Sequence, residues 1–345
     1  MPAKQLPSNR RAYLLAALLL LALCLWLGRS HLRFDAHTFA QQFHSVSWLR
    51  IALGIACIYA GYLLRALRWS VLLAPVRKTP ALHLLPAQLI GFTAVALFGR
   101  FADLGRPWLI ARRLHTPIAT QVAVYSIERA FDLAAAAILF SATLAFAPRN
   151  TPHHAAFARA GALSLAATLL VVAAALIIRF AGDSISHLAH RVLHPISARL
   201  ATATAARVLD LRAGFRTIST LSEFITALAL SLLLWTGIAA AYLLSATAFR
   251  ASPHLATFTL SATMLLLATG IGASVLQLPV LGWVTQIVAL ATALHGLFDV
   301  PLETAYACGA VILLVTNLCI IPSGLLAAHM QGIGLRDALV ESSQQ

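Results

Sequence analysis

The chain has 345 residues, of which 60% are hydrophobic and 10% charged, and its mean hydropathy is +0.84. A soluble globular protein is nearer half apolar and a quarter charged, so this composition excludes an ordinary water-soluble protein. The net charge is +14, from 25 Lys and Arg against 11 Asp and Glu. Because the basic residues lie in loops and at the ends of apolar segments, we interpret them as contacts with anionic lipid and expect no nucleic-acid partner.

Apolar runs long enough to cross a bilayer recur along the chain. Each crossing needs roughly 20 apolar residues. In lipid the backbone must satisfy its own hydrogen bonds, so these runs are helices. We therefore predict an all-α, polytopic integral membrane protein with about eight transmembrane helices, one or two of them re-entrant or broken. Residues 1–345 are expected to form a single membrane domain.

The first transmembrane helix is predicted over residues 12–28, after the basic residues Lys4, Arg10 and Arg11. The sequence Leu27-Gly28-Arg29 offers no small-x-small cleavage site for a signal peptidase. We therefore expect a retained signal-anchor helix with a cytoplasmic N-terminus.

The first half of the domain, residues 49–146, contains three apolar stretches: Leu49–Ala74, Leu82–Phe98 and Ile118–Phe146. The middle stretch is short, contains Pro86 and Gly91, and is followed by an arginine-rich loop. A full crossing would put this basic loop outside, against the positive-inside rule. A re-entrant segment over residues 82–107 resolves the conflict, and a short helix along the membrane surface is the alternative.

A span is predicted at Gly161–Ile178, and residues 179–222, which carry six arginines, are predicted to be a cytoplasmic, basic, amphipathic pair of helices. The second half of the domain, residues 223–328, is predicted to contain four apolar segments: Glu223–Phe249, Leu255–Gln277, Leu278–Phe298 and Leu302–Ala328. Gly270, Gly272, Pro279 and Gly282 interrupt the middle two, which form a second candidate broken element. Two broken elements, one in each half, suggest an inverted repeat around a central site.

The first candidate site is the basic sequence Gly99 to Pro107. Pro suits the first position of a helix, so a helix beginning at Pro107 would point free N–H groups at the preceding loop. Guanidinium groups of Arg100 and Arg106 beside that end would suit a lipid phosphate, with Asp103 orienting one of them. The alternative is ordinary contact of these arginines with anionic lipid heads.

The second candidate site is Glu128-Arg129 with Asp132 on the long helix. Glu128 lies ten residues past Ile118, about 15 Å deep. A charge there costs about 2.5–3.5 kcal/mol or more, so it needs a partner. Arg129 and Asp132 can pair on one helix, whereas Glu128 needs an arginine from elsewhere, such as Arg100 or Arg106. The group either lines a polar cavity or forms a structural ion-pair network.

Three further polar residues lie within apolar segments. Arg65 and Arg68 lie near the end of the second span, where we expect them to extend to the lipid head groups. Gln286 lies in the second broken element and is expected either to join helices or to line the cavity. We find no catalytic, metal-binding or nucleotide-binding motif, and therefore expect no cofactor and no enzyme activity.

These motifs together resemble those of the lysylphosphatidylglycerol synthase transmembrane-region family, also called flippase-like. A Pro-Gly-Arg-x-Gly-Glu-x-x-Arg motif is matched at Gly99, Arg100 and Arg106, with Asp103 in place of Glu and with departures at Phe98 and Ala102. The Glu-Arg-x-x-Asp motif is intact at residues 128–132. A Pro-x-x-Gly segment is present at Pro279–Gly282, with Gln286 where the family carries Glu.

The resemblance implies a multi-pass protein of the bacterial inner membrane that moves or handles a polar phospholipid or glycolipid. In this protein, the resemblance implies that the lipid head group is bound by Arg100, Asp103 and Arg106. The polar path of the head group through the membrane would be lined by Glu128, Arg129, Asp132 and Gln286. Two other functions stay open. One is a membrane-embedded transferase acting on a lipid-linked substrate, and the other is a scaffold that binds lipid-synthesis enzymes through residues 179–222.

Overall fold

A computed structural model describes residues 36–145, 154–195, 197–198, 202, 220–275 and 281–332. In these ranges every named element is helical. The predicted helix at 12–28 and, within segment 179–222, residues 196, 199–201 and 203–219 lie outside the described residues. The α-helices are, in chain order: α1 Ala36–Gln42, α2 Trp48–Leu73, α3 Ala81–Phe98, α4 Gly105–Leu114, α5 Ile118–Ala145, α6 His154–Leu193, α7 Leu221–Thr247, α8 Pro253–Ala256, α9 Leu260–Val275, α10 Leu281–Phe298, α11 Leu302–Leu313 and α12 Ile321–Met330.

Within the described ranges, several helices have the length and composition of membrane spans. Four are long and apolar enough: α2, α3, α7 and the continuous stretch Leu302–Met330. Helices α9 and α10 are apolar but shorter. Helix α5 has 28 residues, enough to cross, but carries Glu128, Arg129 and Asp132 near its middle. The prediction of an all-α, polytopic membrane protein is confirmed.

The first half contains a helical hairpin, Ala81–Leu114, which we call the first hairpin. Helix α3 leads into a 3-10 turn at Arg100–Leu104, and α4 then packs back along α3. The Arg77 guanidinium, just before α3, donates a hydrogen bond to the carbonyl of Leu114, the last residue of α4. Both ends of the hairpin therefore lie at the same end of the bundle, as a re-entrant segment requires.

Two ends of the bundle can be defined by helix α2. It begins at Trp48 and ends at Leu73, next to exposed Arg77 and Lys78. Arg112 and Arg113, at the end of α4, are also exposed. We call this the basic end, and the other the Trp48 end. The first hairpin enters the bundle from the basic end, so its arginines lie together with those after α2.

Helices α9 and α10, which we call the second helix pair, are antiparallel and enter from the Trp48 end. The ring of Phe258, just before α9, packs against that of Phe298, the last residue of α10, at 5.0 Å between centroids. Helix α7 ends nearby, since the Thr247 carbonyl accepts a 2.5 Å hydrogen bond from Arg50 at the start of α2. The second broken element therefore enters opposite to the first.

The tips of the first hairpin and the second helix pair meet inside the bundle. Arg100 Nη1 donates a 2.8 Å hydrogen bond to Ser274 Oγ near the end of α9. Trp283 Nε1, at the start of α10, donates a 2.8 Å bond to the carbonyl of Ala96 near the end of α3. Two buried apolar clusters hold the helices together. The arrangement agrees with the inverted organisation that the two broken segments suggest.

Three local features differ from the sequence predictions. Helix α4 begins at Gly105 rather than Pro107, and the Gly105 N–H bonds to the carbonyls of the 3-10 turn, so no free helix end faces the loop. Helix α6 continues without a break from the predicted span to Leu193. The last span contains a π-helical turn at Leu314–Leu318, which separates α11 from α12. Such turns follow from backbone adjustments that hydropathy does not record.

Candidate functional site

Seven charged side chains form an arginine–carboxylate cluster in the middle of the bundle: Arg65, Arg68, Asp103, Arg106, Glu128, Arg129 and Asp132. Helices α2 and α5 bring most of them together. The fully buried Arg68 lies at the centre, and its guanidinium is 2.7 Å from both a Glu128 and an Asp132 oxygen. Arg65, one turn earlier, lies 3.3 Å from Asp132. Because the two arginines compensate their charge, Glu128 and Asp132 can both stay ionised although they are only four residues apart on α5.

Arg106 connects the first hairpin to this cluster. Its Nε donates a 2.7 Å bond to Asp103, and its Nη1 donates to Gln88 at 2.8 Å and to Glu128 at 3.4 Å. Its guanidinium also lies over three aromatic rings, those of Trp69, Phe92 and Tyr125. Arg106 is 0% exposed. It therefore positions the cluster and the hairpin, and its contacts are with protein groups.

Gly91 of α3 makes room for Arg106. A methyl group at Gly91 would lie 2.1 Å from Arg106 Cγ, a distance that no side chain tolerates. The close approach of the two limbs of the first hairpin therefore depends on a residue without a side chain.

Arg129 and Asp103 extend the cluster toward a central cavity. Arg129 Nη2 lies 3.1 Å from Asp132, and its Nη1 lies 3.8 Å from Asp103. Asp103 also accepts a 2.8 Å bond from the hydroxyl of Tyr125. The Arg129 side chain is 29% exposed, the largest value in the cluster. Arg129 is therefore the cluster arginine most open to a ligand.

A central cavity of about 410 Å³ lies against this cluster. Its charged lining residues are Arg65, Arg100, Asp103, Arg129 and Asp132. Together, the cluster and Arg100 hold five arginines against three carboxylates, an excess of two positive charges. An anion bound in the cavity would compensate this excess.

Apolar side chains form most of the remaining lining, and Tyr242, Gln286, Thr316 and Asn317 add neutral polar groups to it. Gln286 of α10 accepts a 3.0 Å hydrogen bond from Asn317 Nδ2. Thr316 and Asn317 both lie in the π-helical turn. A π turn inserts one extra residue per turn and often marks a functional site. The second half of the chain thus contributes hydrogen-bonding groups without charge.

The structure places the predicted site residues in three settings. Arg100, Asp103, Arg129, Asp132 and Gln286 line the cavity. Glu128 is fully buried behind it and pairs with Arg106, one of the two partners expected for it, but more closely with Arg68. Arg106 does not line the cavity, contrary to the expectation that it contacts lipid. Gln286 bonds to Asn317 and lies apart from the charged cluster.

The expectation that Arg65 and Arg68 extend to the lipid head groups is wrong. Both face inward, because the carboxylates of α5 compensate their charge. The spacing of the charged residues along α2 and α5 could have indicated this pairing. Residues at i and i+3 share a helix face, as do Glu128 and Asp132 at i and i+4, so the two pairs can form one four-membered network. Asn317 had no such signal, because its position depends on the π turn.

Comparison with protein families supports the membrane character of the chain. Residues 14–324 match the family model described as Lysylphosphatidylglycerol synthase TM region. The protein belongs to this family. The match includes the first hairpin, the cluster and the second helix pair, so this family member is a multi-pass membrane protein linked to lipid handling. Comparisons with curated proteins and with solved structures gave no match.

Proposed function

We propose that this protein is a flippase or scramblase-like protein that moves or handles a polar membrane lipid through the central cavity. The observation that carries the proposal is the excess of arginine over carboxylate around a cavity at mid-depth. A lipid phosphate is the anion available in a membrane. Arg129, Arg100 and Arg65 lie on the cavity and can donate to its oxygens.

The remaining cluster residues support this site without touching the lipid. Arg68 and Glu128 hold α2 against α5, and Arg106 holds the first hairpin in place. The carboxylates keep most of the arginine charge compensated when the site is empty. The acyl chains would remain in the bilayer while the head group passes through the cavity.

The contact between the hairpin tips suggests how both ends of the bundle reach the same cavity. The first hairpin enters from the basic end and the second helix pair from the Trp48 end. Displacement of one pair would open the cavity toward its own end. No nucleotide motif exists in the sequence, so we propose movement down a lipid gradient or coupled to an ion.

We also propose an orientation in which the basic end and the N-terminus face the cytoplasm of a bacterial cell. Arg77, Lys78, Arg112 and Arg113 lie at the basic end. Positive residues near short loops favour the cytoplasmic side. The inner membrane is the location that this orientation and the family together support.

Lipid translocation in proteoliposomes tests the proposal. The wild-type protein is reconstituted with fluorescent phosphatidylglycerol, and the leaflet position of the label is read by chemical quenching. We expect protein-dependent exposure of the inner-leaflet label, and a loss of about tenfold or more in Arg129→Ala, because a charged hydrogen bond to phosphate disappears. Asp132 and Asp103 retain other arginine partners in this variant, so the fold should persist.

Arg250→Ala is the matched control, since Arg250 is exposed at the Trp48 end. It should move lipid like the wild type. Absence of lipid movement by folded wild-type protein, with and without an ion gradient, would reject the proposal in favour of a transferase or a scaffold. Unchanged movement in Arg129→Ala would reject the assigned phosphate site.

A further inference from the structure

Arg100 differs from the other arginines on the central cavity in the partner that holds it. Arg65 lies 3.3 Å and Arg129 3.1 Å from Asp132, so both are ion-paired. Arg100 forms no ion pair with a described carboxylate, and its Nη1 instead donates a 2.8 Å hydrogen bond to the neutral hydroxyl of Ser274. Within the described part of the chain, the positive charge of Arg100 is therefore left without a compensating partner.

The Arg100–Ser274 bond joins two elements that enter the bundle from opposite ends. Arg100 begins the 3-10 turn at the tip of the first hairpin, and Ser274 is the last but one residue of α9 in the second helix pair. The Ser274 hydroxyl donates a 2.7 Å bond to the carbonyl of Ile271, so its oxygen is the acceptor for Arg100. Both side chains line the cavity, and a ligand there reaches this contact directly.

The other contact between the tips lies away from the cavity lining. Trp283 donates a 2.8 Å hydrogen bond to the carbonyl of Ala96, and neither residue lines the cavity. Neither group carries a charge that an anion would attract. The Arg100–Ser274 bond is thus the tip contact that an anion in the cavity can break.

We infer that Arg100 and Ser274 form a latch that the phosphate of a bound lipid releases, and that Ser274 is the positioning residue that holds Arg100 when the cavity is empty. The inference rests on the proposed function, since it states how the lipid acts on the same cavity. With Arg100 on Ser274, the tips stay joined. With Arg100 on the phosphate, the second helix pair is free to move relative to the first hairpin.

Phosphate competes well with a hydroxyl for the Arg100 guanidinium. The Ser274 oxygen is neutral, whereas a phosphate oxygen carries negative charge, which adds electrostatic attraction to the hydrogen bond. A guanidinium has five N–H donors in a rigid plane, and a phosphate accepts two of them in parallel. Turning that plane toward the phosphate takes the donors away from Ser274.

This competition couples lipid binding to the separation of the tips. A ligand shifts an equilibrium between two states only by the difference in its affinity for them. Because the phosphate gains Arg100 only in the unlatched state, lipid binding favours unlatching, and the latch in turn weakens lipid binding. Removal of the latch should therefore tighten lipid binding, whereas loss of a purely structural contact would weaken it or leave it unchanged.

The full chain is tested for binding of phosphatidylglycerol by native mass spectrometry and for its movement in proteoliposomes. Ser274→Ala should bind the lipid about two- to tenfold more tightly, because Arg100 no longer has to leave a hydrogen-bond partner. Ser274→Thr keeps the hydroxyl and should bind like the wild type. Thr269→Ala is the matched control, since the Thr269 hydroxyl makes an intrahelical bond of the same kind on α9 and does not line the cavity.

Ser274→Asp should have the opposite effect. A carboxylate gives Arg100 a charged partner across the tips, so we expect binding to weaken, and movement to slow, by about tenfold or more. Ser274→Asn has the same size without the charge and should stay within about threefold of the wild type. When Arg100→Ala is already present, Ser274→Ala should no longer change binding, because no latch is left to remove.

The outcomes separate the latch from the proposed function. Equal or weaker binding by Ser274→Ala, or an effect of that substitution that persists in Arg100→Ala, would overturn the latch and leave the flippase proposal standing on the movement of lipid by the wild type. Tighter binding by Ser274→Ala together with no movement by the folded wild type would support the latch and reject the flippase proposal. Absence of both binding and movement in the folded wild type would contradict both.

Discussion

At the scale of single residues, the mid-depth charges persist because each has an opposite charge within bonding distance. Glu128 is fully buried and lies 2.7 Å from Arg68 and 3.4 Å from Arg106. Removal of one member of a buried ion pair leaves the other uncompensated, at a cost of about 3–5 kcal/mol. The cluster therefore couples α2, α5 and the first hairpin in one network.

Glu128→Gln tests this coupling. We expect the free energy of unfolding in detergent to fall by about 3–5 kcal/mol, because Arg68 and Arg106 lose a charged partner in a buried place. Glu303→Gln is the control, since Glu303 lies in the first turn of α11, away from the cluster, and should cost no more than about 1 kcal/mol. Equal stability of both variants would contradict the coupling.

The sequence predicted part of this cluster. Three charges near the middle of one apolar helix required partners, and the pairing of Arg129 with Asp132 followed from their spacing. The principal partner of Glu128 could not be predicted from the sequence. Arg68 lies near the end of its span, where an arginine side chain can equally well extend to the lipid head groups. The contact depends on how α2 packs against α5, which hydropathy does not specify.

At the scale of elements, the first hairpin depends on the close approach of α3 and α4. Gly91 lies directly beneath Arg106, and Gly324 of α12 lies against α3, where a methyl group would meet the Leu89 carbonyl at 2.7 Å. Small residues at such points allow helices in lipid to pack closely. The hairpin is therefore held on two sides by glycine contacts.

Gly91→Ala should weaken the hairpin. The added methyl group would overlap Arg106, so we expect a loss of about 1–3 kcal/mol in stability, the usual cost of an overpacked core. Gly272→Ala on α9 is the matched control, because nothing lies within 4 Å of its added methyl group. That variant should be neutral or slightly stabilising. Thermal denaturation of both in the same detergent measures the difference, and a more stable Gly91→Ala would contradict the packing.

The positive-inside rule predicted the re-entrant hairpin, and the return of α4 to the basic end agrees with it. The boundaries were less accurate, since the returning limb extends to Leu114 rather than ending at residue 107. The helix start was misplaced at Pro107 because a 3-10 turn that leads directly into a helix has no sequence signature comparable to an N-cap.

At the scale of the whole molecule, charge differs between the two ends of the bundle. The basic end exposes Arg77, Lys78, Arg112 and Arg113, whereas Asp299 and Glu303 lie between α10 and the start of α11 at the Trp48 end. The Trp48 end also carries Arg50 and Arg250, which balance these two acidic residues, so the basic end keeps the excess of positive charge on which the proposed orientation is based.

Cysteine labelling in intact cells tests the orientation. In a background without native cysteines, Arg113→Cys at the basic end and Trp48→Cys at the other end are treated with a membrane-impermeant maleimide. We expect labelling of the Trp48→Cys protein alone, and of both after the membrane is permeabilised. Labelling of Arg113→Cys in intact cells would reverse the orientation.

The contact between the two tips has a consequence for how the two ends of the bundle are kept apart. A bilayer resists a head group with about 30 Å of hydrocarbon. Near the cavity, two hydrogen bonds, from Arg100 to Ser274 and from Trp283 to Ala96, join the halves that enter from opposite faces. The neutral bond from Trp283 contributes about 0.5–1.5 kcal/mol and the charged bond from Arg100 about 1.5–3 kcal/mol. Both bonds are made by side chains, so the two tips can separate without any helix unwinding.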